Sequence, residues 1–294
     1  MISSKNMLKH LSLILFILIG FTSISNAQST ADSTLLNREY KSLDEALKNP
    51  KNVYRLDLSN QELNFSDSMW TSFTNLKYLS LRNDHLTEIP SSIGFLKNLE
   101  VLDLSGNDFK LLPSSFSNLT NLQELYLNED KNLQLEKNIS LLSTLPKLKY
   151  LSLKDDHFAE IPTALGNLKN LEVLDLSGND FKLLPSTFSN LTNLQELYLN
   201  DDKLFQLEES ISLLSTLPNL TSLHIESDGL TSLPKNISKL SHLESLYLNN
   251  NKFDQVPLEL KELKNLRFVD FHDNKFTVPS QERQNKAFGF KIRF

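Results

Sequence analysis

Apolar residues, most of them leucine, return along this chain at a nearly fixed interval, and that period limits what it can fold into. Units opening at Val53, Leu76, Leu99, Leu122, Leu148, Leu171, Leu194, Leu220, Leu243 and Leu266 are spaced by 23, 23, 23, 26, 23, 23, 26, 23 and 23 residues. Apolar residues are expected at the first, fourth, sixth and eleventh places of each unit, as in Leu99, Leu102, Leu104 and Phe109. Most units continue through an apolar–Pro step to two further apolar residues, as in Leu112, Pro113, Phe116 and Leu119. A period of this length marks a repeat array, in which each unit buries its apolar face only against its neighbours.

The local physics follows from the spacing. The stretch "VLDLS" alternates apolar and polar residues, which predicts a short strand with one buried face. Asn or Asp with Gly then turns the chain, and the Pro step opens a return path too short and irregular for a long helix. Stacking aligns the strands in a parallel ladder over a continuous core. Residues 53–276 resemble the leucine-rich repeat family in its 23-residue form, "LxxLxLxxNxLxxLPxxIxxLxN". The resemblance implies an α/β repeat solenoid. Its shape would be a horseshoe with a parallel β-sheet on the concave face, about ten repeats, and a cap at each end.

A longer period lies over the short one. The sixteen residues "LEVLDLSGNDFKLLPS" occur at 99–114 and again, unchanged, at 171–186. Leu76–Lys147 matches Leu148–Asn219 over long stretches, and a more diverged copy starts at Leu220. This pattern records duplication of a three-repeat block.

Outside the repeats, the first segment reads as a targeting signal. Lys5, Lys9 and His10 precede the apolar run "LSLILFILIGF", and Ser25 and Ala27 are small residues suited to signal peptidase. The expected organisation is a signal peptide at 1–27, a linker and capping helix at 28–52, repeats at 53–276 and a C-terminal cap at 277–294. Ser42, Glu45 and Pro50 are start and stop signals for the capping helix, with Leu43, Ala46 and Leu47 covering the first repeat. "SQERQNK" is expected to form a helical turn from Ser280, and "FGFKIRF" a last strand presenting Phe288, Phe290, Ile292 and Phe294. No later segment is long and apolar enough to span a bilayer. The chain lacks cysteine, so the caps hold without disulfides. Cysteine-free caps resemble those of secreted bacterial members of the family, and a secreted, periplasmic or cell-surface location is expected.

Little in the sequence suggests chemistry. No Ser/His/Asp set, HExxH or phosphate-cradling glycine loop appears, and glycine totals seven. The expected protein is not an enzyme and carries no cofactor. The ninth place of each unit, normally Asn, reads Gln61, Asp84, Asn107, Asp130, Asp156, Asn179, Asp202, Asp228, Asn251 and Asn274. Its five aspartates are read as caps on backbone N–H groups rather than a calcium ladder, because no further oxygen ligands accompany them. Sequons at Asn64, Asn118, Asn138, Asn190 and Asn236 are read mostly as products of the repeat.

The informative surface is the strand face. The formal charge of −6 falls to about −8 once Lys5 and Lys9 are removed. Residues at the third, fifth, seventh and eighth places carry eleven carboxylates against Arg55, Arg82 and Lys154, so the field belongs to this face. An acidic chain of this kind argues against nucleic acid and anionic membrane as partners. The candidate site comprises Tyr78, Asp103, Glu124, Tyr126, Tyr150, Asp175, Glu196, Tyr198, His224, Glu226, Tyr247 and Asp270. Rings interleaved with carboxylates suit a protein or peptide bearing basic residues, bound by a monomer. Two other functions use the same face: carbohydrate binding or adhesion, with the tyrosines stacking on sugars, and scaffolding of an enzyme encoded elsewhere.

Overall fold

Each unit contributes one very short strand, and the strands pair in parallel in chain order. The computed structural model describes residues 37–62, 68–277 and 288–294, and Glu39–Phe294 forms one compact unit. Its single sheet runs β1 (Glu39–Tyr40), β2 (Arg55–Asp57), β3 (Tyr78–Ser80), β4 (Val101–Asp103), β5 (Glu124–Tyr126), β6 (Tyr150–Ser152), β7 (Val173–Asp175), β8 (Glu196–Tyr198), β9 (Ser222–His224), β10 (Ser245–Tyr247), β11 (Phe268–Asp270) and β12 (Lys291–Arg293). The middle residue of each repeat strand is apolar and wholly buried, from Leu56 and Leu79 to Leu246 and Val269. The residues either side of it face outward. The fold is a repeat solenoid with its sheet on the concave face.

The return path depends on unit length. The 23-residue units pass through short 3-10 segments such as Ser114–Asn118 and Ser186–Asn190. The 26-residue units instead carry two-turn helices, Leu135–Leu142 and Leu207–Leu214. After α1 (Leu43–Ala46) these are α2 and α3. The expectation of an apolar core residue at the eleventh place fails in these two units. One extra residue follows Asp130 and Asp202, so the eleventh-place Asn132 and Leu204 stay exposed while Leu133 and Phe205 turn toward the core. Asn138, one of the sequons, is buried in α2. Its Oδ1 accepts from Leu112 N at 2.8 Å and its amide donates to the carbonyls of Lys110 and Gln134.

Every repeat strand ends in the same turn. The eighth residue of each unit lies in the left-handed region: Asn60, Asn83, Gly106, Glu129, Asp155, Gly178, Asp201, Ser227, Asn250 and Asp273. Glycine adopts this conformation without strain at Gly106 and Gly178, where a Cβ would also crowd Asn83 Oδ1 and Asp155 Oδ1 respectively.

Behind the turn runs the ladder of ninth-place residues. Asn107 satisfies it fully: Oδ1 accepts from Asp84 N and Leu86 N, and Nδ2 donates to the carbonyls of Leu81 and Leu104. The aspartates complete only half of this pattern. Oδ1 of Asp84, Asp130, Asp156, Asp202 and Asp228 each accepts one backbone N–H at 2.7–2.8 Å. Oδ2 of Asp84, Asp130, Asp156 and Asp202 is buried without a partner, in the place where asparagine offers a donor. Burial pushes these carboxyls up, to about 6 for Asp84, about 7 for Asp228 and about 8 for Asp130, Asp156 and Asp202. A protonated Oδ2 supplies the missing donor.

Both ends of the array are covered. Ala46 in α1 is fully buried and Leu43 packs on the core, but Leu47 stays 42% exposed and Ser42 makes no side-chain cap bond. The Ser42 half of the expected capping box is therefore not formed. With only four residues, α1 is held by packing rather than by its caps. At the far end β12 pairs with β11, and Phe288, Phe290 and Phe294 pack against the core. The turn expected from Ser280 lies outside the described residues.

Candidate functional site

Strand register turns the third and fifth places of the units into two straight rows across the concave face. The fifth-place row reads Asp57, Ser80, Asp103, Tyr126, Ser152, Asp175, Tyr198, His224, Tyr247, Asp270, Arg293. Beside it, the third-place row includes Tyr78, Glu124, Tyr150 and Glu196. Eleven of the twelve candidate residues lie in these rows. Glu226 stands just beyond β9 and reaches back to His224. Most side chains in the rows are partly exposed, whereas Ser80, Ser152, His224 and Asp270 are buried.

In the C-terminal half the rows close on themselves. The His224 ring is stacked between Tyr198 and Tyr247, with centroids at 3.9 and 4.0 Å. Its Nε2 meets Glu196 Oε1 at 2.8 Å and its Nδ1 meets Glu226 Oε1 at 3.2 Å. Burial alone would lower the histidine's affinity for protons, but the hydrogen bonds to the two glutamates reverse this and raise it. For Glu196 burial works against ionisation too, and the bonds from His224 more than offset it, holding the carboxyl low. Both ring nitrogens face carboxylate oxygens, which favours the protonated imidazole, held between two rings and two carboxylates. Further along, Asp270 is bound by His272 Nδ1 at 2.7 Å and Arg293 at 3.2 Å. At the opposite end Arg55 lies 4.2 Å over the Tyr78 ring and 3.4 Å from Glu39. Burial first, then Asp103 and Asp57, pushes the Tyr78 hydroxyl up to about 12.

The centre is different. The rings of Tyr126 and Tyr150 meet at 4.9 Å, and Tyr126 donates its hydroxyl to Glu124 at 3.1 Å. Burial raises the carboxyls of Glu124 and Asp103. Asp103 and Asp175 each accept from the backbone N–H two residues on, at 2.9 Å. Among the described residues, none of Asp57, Asp103, Glu124 or Asp175 has a cation within ion-pairing distance. Arg82 is spent on Glu129 at 2.7 Å, and Lys154 on Asp155 at 3.7 Å.

The row carboxylates that lack an ion-pair partner among the described residues thus lie on the N-terminal and central strands, whereas Glu196 and Asp270 in the C-terminal half are paired. His224 was named from its place in the repeat, but its engagement by Glu196 and Glu226 was not legible there. The signal lay in the duplication: Ser152 and Lys154 of one block become His224 and Glu226 in the next, a paired change that builds the cage. Among the described residues no three His, Asp or Glu side chains converge as a metal ion needs, and no helix is long and apolar enough to cross a membrane.

Comparisons with known proteins point to the same architecture. A family model described as a leucine-rich repeat region matches residues 52–145 and 129–228, and a second, described as a leucine rich repeat, matches 218–276. Curated proteins give no significant match. Among solved structures, a chain of the Toll–Spatzle complex, a molecular hub in Drosophila development and innate immunity, superposes with a TM-score of 0.65 at 21% identity. The match covers 86% of this chain and 34% of that one. A leucine-rich repeat protein of Leptospira interrogans is 24% identical with a TM-score of 0.40, over 88% of this chain and 100% of its own. Family models tile the repeats from residue 52 to residue 276, and the strand ladder, the turns and the ninth-place residues repeat across the same span; the chain belongs to the leucine-rich repeat family.

Proposed function

We propose that this protein is a non-catalytic interaction module, secreted or held at the cell envelope, which binds a protein or peptide partner on its concave face. Residues 1–27 would be removed as a signal peptide after Ala27, and the mature chain would act as a monomer. Members of the family generally serve as protein-interaction modules. The neighbour in the Toll–Spatzle complex is found with a protein partner, which supports a macromolecular ligand here by likeness of fold. The observation that carries the reading is the central tyrosine pair, partly exposed and flanked by carboxylates with no cation of their own. Such a surface draws in basic side chains by steering and holds them by cation–π contact.

The test is affinity capture from envelope and culture medium with the mature protein as bait. A specific partner should be retained by the native protein and by a Leu258→Ser control. The variant combining Asp103→Lys, Asp175→Lys, Tyr126→Ala and Tyr198→Ala should retain less than about a tenth as much. Equal retention by that variant moves the site off this face. Sugar-dependent binding on a glycan array, with no captured protein, would favour the carbohydrate reading.

A further inference from the structure

The two duplicated blocks build the same tyrosine–carboxylate pair and complete it differently. In the second copy Tyr198 donates to Glu196 at 2.8 Å, and the neighbouring strand supplies His224, which bonds Glu196 and stacks on Tyr198. In the first copy Tyr126 donates to Glu124, but the register neighbour of Tyr126 is Ser152, whose hydroxyl goes to Asn128. The ring that packs on Tyr126 is Tyr150, which is neutral. At the other end Arg55 covers Tyr78. The molecule therefore lays its own cation on the tyrosines at both ends of the face. Among the described residues, the central pair has none.

We propose that the central strands β4–β7 form a seat for an extended segment of a partner protein carrying two basic side chains four residues apart. One basic side chain would lie at Asp103 and the other at Asp175, with an apolar or aromatic side chain between them on the Tyr126–Tyr150 pair. This reading rests on the concave-face function above and adds the partner's chemistry to it. His224 supports it from within the same chain: the corresponding Tyr198–Glu196 pair holds a histidine ring, there with Glu226 as a second carboxylate where the central strands have Asp103 and Asp175 nearby. The spacing follows from register. Asp103 and Asp175 share one row and lie three strands apart, about 14–15 Å. An extended chain advances about 3.4 Å per residue, so residues i and i+4 span that distance and project from the same face. Residue i+2 also shares that face and falls midway, between β5 and β6, where the tyrosine pair stands. The groups facing the seat are Asp103, Glu124, Asp175, Tyr126, Tyr150 and Ser152; the nearest basic residues, Arg82 and Lys154, are engaged by Glu129 and Asp155.

The experiment measures fluorescence anisotropy of capped, labelled peptides on the full chain. One peptide carries arginines at i and i+4 around a central leucine; others place them at i and i+2 or at i and i+7, and one replaces both with glutamate. The i, i+4 peptide should bind at least tenfold more tightly than the others and weaken as salt rises. Asp103→Asn and Asp175→Asn should each cost several-fold, and the double variant should erase the spacing preference. Glu100→Gln, at the outer Lys77 pair, should change nothing. Melting temperatures of the variants separate lost folding from lost binding. Equal binding at all spacings, or a preference that survives the double variant, overturns the proposal. If no peptide binds but the captured partner still depends on the concave face, this seat is wrong and the broader function stands. Loss of both dependences removes both.

Discussion

At the scale of single residues, the ladder aspartates have the widest consequences. An ionised Asp130 or Asp156 would place a buried negative oxygen where asparagine donates to backbone carbonyls, so the folded state favours the proton. A carboxyl raised on folding stabilises the protein fully below its unfolded value and loses that contribution as pH climbs through the folded value. The window opens at the ordinary carboxyl value of 3.8 and closes at the folded values, about 6 for Asp84 and about 8 for Asp130, Asp156 and Asp202. The melting temperature should therefore fall by more than about 5 °C between pH 6 and pH 9. Asp156→Asn should be neutral near pH 4 and increasingly stabilising from pH 6 to pH 9, and combining it with Asp130→Asn and Asp202→Asn should flatten the profile. Calorimetry across pH checks this. A profile unchanged by the triple variant would mean that another group controls alkaline stability.

At the scale of elements, comparing the two blocks identifies a weak point. Asn138 in α2 bonds Leu112 N and the carbonyls of Lys110 and Gln134. Its counterpart in α3 is Ser210, also buried, whose hydroxyl has no partner. The surroundings correspond, with Leu184, Lys182 and Gln206 in place of Leu112, Lys110 and Gln134. Ser210→Asn should rebuild the bridge and raise the melting temperature by about 2–4 °C. The reverse change, Asn138→Ser, should lower it by at least as much. Thermal denaturation of the two variants decides this. If Ser210→Asn destabilises, the second block has repacked around its serine.

At the scale of the whole molecule, the sequence made the sheet legible and the site only partly so. Leucines at places one, four and six contact their own unit and its neighbours, so spacing alone sets the strand ladder. The 26-residue units were harder, because Asn132 and Leu204 keep the period while Leu133 and Phe205 take the core positions. All twelve candidate residues were named from their places in the repeat. Their division into engaged and unengaged groups was not legible, since it depends on contacts such as His224 to Glu196, 28 residues apart. Protonation of the ladder was hidden for the same reason: it arises from burial, which an Asp in a turn does not announce.

Duplication leaves a final consequence in the seams between blocks. Leu148–Asn219 is flanked by junctions of one kind, so cutting it out would set Glu124 and Tyr126 beside Ser222 and His224, the neighbours Glu196 and Tyr198 already have. The shortened chain is expected to fold with a single cooperative transition, as circular dichroism would show, because no new interface has to be invented. It would also trade the Tyr126–Tyr150 pair for a second-generation imidazolium cage. In this architecture length is inherited in whole blocks, and under the proposed seat each block gained or lost would open or close a position for an outside cation.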